Sequence, residues 1–154
     1  MCKITVKGHI QVFPKDRSRL SRKKKPYEEQ TIVIKLSNDI GRLYSSMLFK
    51  EKGILLEPPP FGCHVTLNNG KHFFDVAKQK DYLNELYGKA IQIVIDINMY
   101  RHWEFVAMHV IGTELNKIRR RLGLPYKDDF HVTIGRLHPN AKRLGLLTKE
   151  INEL

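Results

Sequence analysis

Two short stretches carry side chains able to move protons near neutral pH: Cys63-His64-Val65-Thr66-Leu67 and Phe130-His131-Val132-Thr133-Ile134. On a β-strand, residues two apart share a face, so each stretch presents an imidazole beside a hydroxyl while its valine points the other way. Imidazole, with an ordinary pKa of about 6.5, serves as base when neutral and as acid when protonated. A threonine hydroxyl donates a hydrogen bond to an anionic oxygen. Seven histidines and six threonines are spread over 154 residues, so a given His has Thr two places on by chance only about 4% of the time. Two such pairs, each flanked by apolar residues, therefore point to a shared chemistry rather than to composition. A lone His-x-Thr would read as plain strand surface.

The elements that must position these pairs are legible around them. Ile4–Phe13 is β-rich and stops at Pro14; Thr31–Leu36 is a short apolar run suited to a buried strand. Ser37 or Asn38 can cap a helix over 38–50 whose stripe is Ile40, Leu43, Tyr44, Met47 and Leu48, with Gly53 at its end. Pro58-Pro59-Pro60 delivers the chain in extended form into the first motif strand, and Asn68-Asn69-Gly70 turns it out. A weaker helix spans Asp75–Tyr87, and Ile91, Ile93, Ile95 and Ile97 alternate as a strand with one buried face. Trp103–Ile111 is predicted as a strand and Glu114–Leu122 as a helix; the second motif strand runs to Leu137. Strand, helix and motif strand thus recur, over 31–70 and 103–138. A repeat of this kind pairs about a pseudo-two-fold axis, which would bring His64, Thr66, His131 and Thr133 to equivalent places.

A chain of this length is expected to form a single domain over 1–154. The formal charge of +11 implies attraction to polyanions such as nucleotides or RNA, and residues 15–25 hold seven basic groups against one acid. That segment reads either as a solvated loop or as a phosphate-attracting arm. No apolar run is long enough to span a bilayer, the N-terminus lacks a signal-peptide core, and Cys2 and Cys63 form no framework. The expected location is the cytoplasm, with no membrane partner. Paired histidines also serve metals, but no His-x-x-x-His or CxxC is present, so neither a metal nor a cofactor is expected.

Quoted in full, Phe61-Gly62-Cys63-His64-Val65-Thr66-Leu67 and Phe130-His131-Val132-Thr133-Ile134-Gly135-Arg136-Leu137 resemble the paired His-x-Thr-hydrophobic signature of the two-histidine (2H) phosphoesterase superfamily. The likeness covers residues 30–137, and the small size and proline-rich lead are similar to the phage-type Swiss-army-knife branch. The resemblance implies an α+β, bilobal fold: two pseudo-symmetric lobes whose antiparallel sheets line a central cleft, with helices outside. Where that family has a further helix and strand after the second motif, this chain is short, and strand 4–13 is expected to fill the place. The implied activity is metal-independent cleavage of nucleotide phosphodiesters: 2′,3′-cyclic phosphates, 2′-5′ linkages, RNA ends or cyclic oligonucleotide signals. His64 and His131 would be the acid and base, and Thr66 and Thr133 would hold the phosphate. Beside them, Lys35 and Arg136 are candidate phosphate partners, and Trp103 and His109 are candidate substrate contacts, Trp103 as a base-stacking ring. The other histidines and the Arg119-Arg120-Arg121 run read as solvated surface. The rival function is a basic RNA- or nucleotide-binding module without catalysis.

Overall fold

The computed structural model describes residues 2–14, 30–70, 72 and 74–138, so the basic segment 15–25 and the stretch from 139 onward lie outside the described residues. The elements follow the predicted order with one addition, the two-residue β3: β1 (Lys3–Pro14), β2 (Gln30–Lys35), α1 (Asn38–Lys52), β3 (Leu56–Glu57), β4 (His64–Asn69), α2 (Val76–Tyr87), β5 (Ile91–His102), β6 (Phe105–Val110), α3 (Thr113–Arg121) and β7 (Phe130–Leu137). Ser37 caps α1 by accepting from the Asp39 amide, and Gly53, at φ 68°, ends it in the left-handed conformation.

Six strands pair antiparallel in the order β7-β4-β2-β1-β5-β6, and a β6–β7 pairing closes them into a barrel; β3 adds two residues beside the end of β7. The chain is therefore α+β with a closed antiparallel barrel. β1 and β2 form one antiparallel pair, β5 and β6 another, and each pair is followed by a helix and a motif strand. The repeat thus reaches further back than 31 and 103: β1-β2-α1-β4 matches β5-β6-α3-β7. Its halves meet along two seams, β4 with β7 and β1 with β5.

One face of the strands is apolar. Ile32, Ile34, Val65, Ile93, Ile95, Val106, Met108 and Val132 are buried with Ile40, Tyr44 and Leu48 of α1, Leu83 and Leu86 of α2, and Leu115 and Leu122 near α3. Six strands close too tightly to enclose helices, since even eight leave room only for side chains. The helix-covered face is accordingly the outer one, and the alternate residues, the two His-x-Thr pairs among them, line the inner side. His9, His102 and His109 on that side are exposed, so at these positions the inner side opens to solvent and is not a filled barrel interior.

Gly41 sets how closely α1 lies over the β4–β7 seam. A Cβ there would come within 2.7 Å of the Cys63 sulfur, beside the Ile134 carbonyl. A mid-helix glycine costs about 0.5–1 kcal/mol of helix stability, and the close approach it permits is what covers both motif strands with one helix.

Candidate active site

The two motif strands are direct neighbours. Val65 faces Val132 across the antiparallel β4–β7 pair, which puts His64 level with Thr133 and Thr66 level with His131. The flanking ladders extend these two rungs. Lys35 pairs with His64 and Val33 with Thr66 on one side; Ala107 pairs with Thr133 and His109 with His131 on the other. Each ladder has one irregularity, and it falls in the same place in both: Leu67 and Ile134, the residues after the motif threonines, are the extra residues of two bulges. Such bulges re-aim strands next to functional groups. The histidines are diagonal neighbours, a relation that spans roughly 7–8 Å between backbones, with each hydroxyl beside the other strand's imidazole.

The two imidazoles sit in different surroundings. Nδ1 of His64 lies 2.9 Å from the Gly62 carbonyl oxygen; a carbonyl only accepts, so Nδ1 carries the hydrogen and Nε2 is left to exchange protons. Nδ1 of His131 is buried and makes no hydrogen bond among the described residues; its nearest acidic neighbour, Asp129 Oδ1, is 3.6 Å away. That is too long for a hydrogen bond and close enough for charge to act. Burial lowers the His131 pKa below its ordinary value, Lys127 and His102 push the same way, and the Asp129 carboxylate opposes them. Removing Asp129's charge with Asp129→Asn should therefore move the His131 midpoint further down, and His102→Ala should move it up. Following the His131 ring protons by NMR during a pH titration checks both directions.

The peripheral candidates divide. Lys35 stands level with His64, its Nζ donating to the Phe61 carbonyl at 2.7 Å. His109 stands level with His131 and stacks on Tyr100, ring centroids 4.1 Å apart; burial and the Asp129 charge raise the Tyr100 hydroxyl to about 12. Lys35 and His109 occupy equivalent positions in the two halves. Arg136 lies beyond the second bulge, across from Phe105, and is paired with Glu104 at 3.3 Å. Trp103 is not the start of a strand: it is the first residue of the two-residue turn between His102 and Phe105. It is 82% exposed, and its ring stacks on His102.

Several contributors escaped the reading of the sequence. His102 is exposed yet reaches inward, its ring centroid 6.3 Å from that of His131. Arg119 is no solvated helix end: only 3% exposed, it bonds the carbonyls of Leu67 and Pro125. Lys127, held by a two-way bond with Asn116, extends its Nζ to the Thr66 carbonyl at 3.1 Å. The backbone of the first motif strand is thus held by two cations from the second half. Lys127 and Asp129 lie in the loop before β7, where no strand periodicity marks them in the sequence.

Among the described residues no group of three His, Cys, Asp or Glu side chains is arranged to hold a metal ion. A groove of about 560 Å³ lies outside this region, between α1 and Pro58–Pro60, with Cys63 and Ile134 in its lining and neither motif histidine. No protein-family model, curated protein or solved structure matches the chain.

Proposed function

We propose that this protein is a metal-independent phosphodiesterase of the 2H type, acting on nucleotide phosphodiesters, with the inner barrel face serving as the cleft between two lobes. The observation that carries the reading is the reciprocal rung pattern: two imidazoles on neighbouring strands, each beside the other's threonine, on a solvent-open face. In-line displacement at phosphorus needs a base on the attacking side and an acid on the leaving side, and two diagonal imidazoles supply both. The threonine hydroxyls would donate to the non-bridging oxygens, where charge builds up.

For a 2′,3′-cyclic phosphate the step balances as follows. Water attacks phosphorus, forming a P–O bond, as one ribose–phosphorus P–O bond breaks; one histidine takes the water proton and the other gives a proton to the departing ribose oxygen. When a substrate 2′-hydroxyl attacks instead, its oxygen bonds to phosphorus as the bond from phosphorus to the next nucleotide's 5′-oxygen breaks; one histidine takes the 2′-hydroxyl proton, the other protonates the departing 5′-oxygen, and the product is the cyclic phosphate. The lowered His131 pKa favours its neutral form near neutral pH, the form that a base requires.

A panel of 2′,3′-cyclic nucleotides, 2′-5′ linked dinucleotides and cyclic di- and trinucleotides, assayed in EDTA, tests this. Turnover of at least one class is expected, with a bell-shaped dependence of kcat/KM on pH whose acidic limb moves down in Asp129→Asn. Binding without cleavage across the panel would overturn the reading in favour of a binding module, and a profile with one limb would overturn the paired acid and base.

A further inference from the structure

We infer that Trp103 and His102 form a nucleobase-stacking platform beside His131 that holds purine-bearing nucleotides more tightly than pyrimidine ones; this rests on the reading of the inner face as a nucleotide site. Three observations converge on the turn between β5 and β6. First, Trp103 has φ 57° and is the sole non-glycine with positive φ among the described residues. The first position of a two-residue hairpin turn with that sign is one that glycine favours, and a bulky residue there is a genuine outlier. Strain of this sort persists at ligand-binding positions because the side chain is wanted there.

Second, the strained residue is the largest aromatic side chain, and it is 82% exposed. Packing therefore does not explain it. Third, its ring lies parallel to His102, with 6° between planes and centroids 5.8 Å apart, and His102 in turn is tilted by 34° against His131 at 6.3 Å. Three rings thus step outward from the proton-transferring imidazole to an open indole face. A spacing of 5.8 Å between parallel rings leaves no gap for an inserted base, so the ligand ring stacks on the free face of Trp103. Every base has a π-face, and stacking gains with its area, so the wider purine is held more tightly than a pyrimidine. Arg101, whose Nε donates to the Trp103 carbonyl at 2.6 Å, braces the turn.

Trp103 is the chain's one tryptophan, so intrinsic fluorescence reports on this ring alone. Titration with adenosine 3′-monophosphate should give saturable quenching, cytidine 3′-monophosphate weaker quenching, and ribose 5-phosphate none. By calorimetry, Trp103→Gly should bind the adenosine nucleotide about 5-fold to 100-fold more weakly, and Trp103→Phe should stay within a few-fold of the native protein. Trp103→Gly should also unfold at no lower temperature than the native chain, since relief of the positive φ offsets the lost ring contact. Equal quenching by ribose 5-phosphate, unchanged affinity in Trp103→Gly, or a marked fall in its unfolding temperature would overturn the platform. Quenching with no turnover of any phosphodiester would leave the platform standing and sink the catalytic reading. Turnover with KM untouched by Trp103→Gly would do the reverse.

Discussion

Replacing His64 or His131 by alanine is expected to lower kcat/KM toward a nucleotide phosphodiester by about 10²–10⁴-fold, the range that a positioned general acid or base contributes. The two losses should not add in the double variant, because neither proton transfer is of use without the other. Both side chains are half-buried at the inner face and outside the apolar core, so the fold should survive either change. His131→Ala has a second signature. The folded pKa of His131 lies below its unfolded value, so the unfolded chain takes up a proton first as pH falls. The native protein therefore loses stability as pH drops from the unfolded value of about 6.5 through the folded one, and keeps this contribution above it. Removing the imidazole removes that loss. Urea midpoints at about pH 7.5 and about pH 5.5 should differ less for His131→Ala than for the native chain. A variant that keeps full activity at either position would defeat the proposed chemistry.

Arg119→Ala is expected to cost about 2–4 kcal/mol of stability, the largest effect of any single charged residue described here. Its guanidinium is nearly inaccessible, and truncation leaves the Leu67 and Pro125 carbonyls without a donor. Arg120 is exposed and serves as the control, with a change within about 0.5 kcal/mol. Urea denaturation of the two variants separates them. Since Leu67 is the bulged residue after Thr66, Arg119→Ala should also lower kcat more than KM if measured below its unfolding transition, while Arg120→Ala changes neither. Equal stabilities for the two variants would return Arg119 to the surface role that the run of three arginines suggests.

How much of this was readable beforehand depended on whether a feature is local. The Ile91, Ile93, Ile95, Ile97 alternation and the Ile40–Leu48 stripe write β5 and α1 directly, because periodicity needs no knowledge of neighbours. The two His-x-Thr pairs were equally plain. Their rung pattern was not, because which strand lies beside which is decided by tertiary pairing, and a one-residue slip would have turned every side chain over. Arg119 reads as surface because of its charge, although it falls four residues after Leu115, on the apolar face of α3. From sequence Trp103 reads as the start of a strand because an aromatic residue favours strands, and the turn it occupies contains no Gly, Asn or Asp to announce it. His102 and Tyr100 became visible only once that turn had folded β5 against β6.

The placement of Val65 opposite Val132 at the seam between matching halves has a consequence for how such a site can be assembled. A chain of half the length would own one imidazole and one hydroxyl, and two copies related by the two-fold would complete the same four groups. That assembly would be perfectly even, with nothing to tell donor from acceptor. Joining the halves in one polypeptide lets them diverge: Gly62 holds one ring's hydrogen, while Asp129, Lys127 and His102 surround the other. The repeated element order supplies the geometry, and covalent linkage permits the two imidazoles to differ in their surroundings.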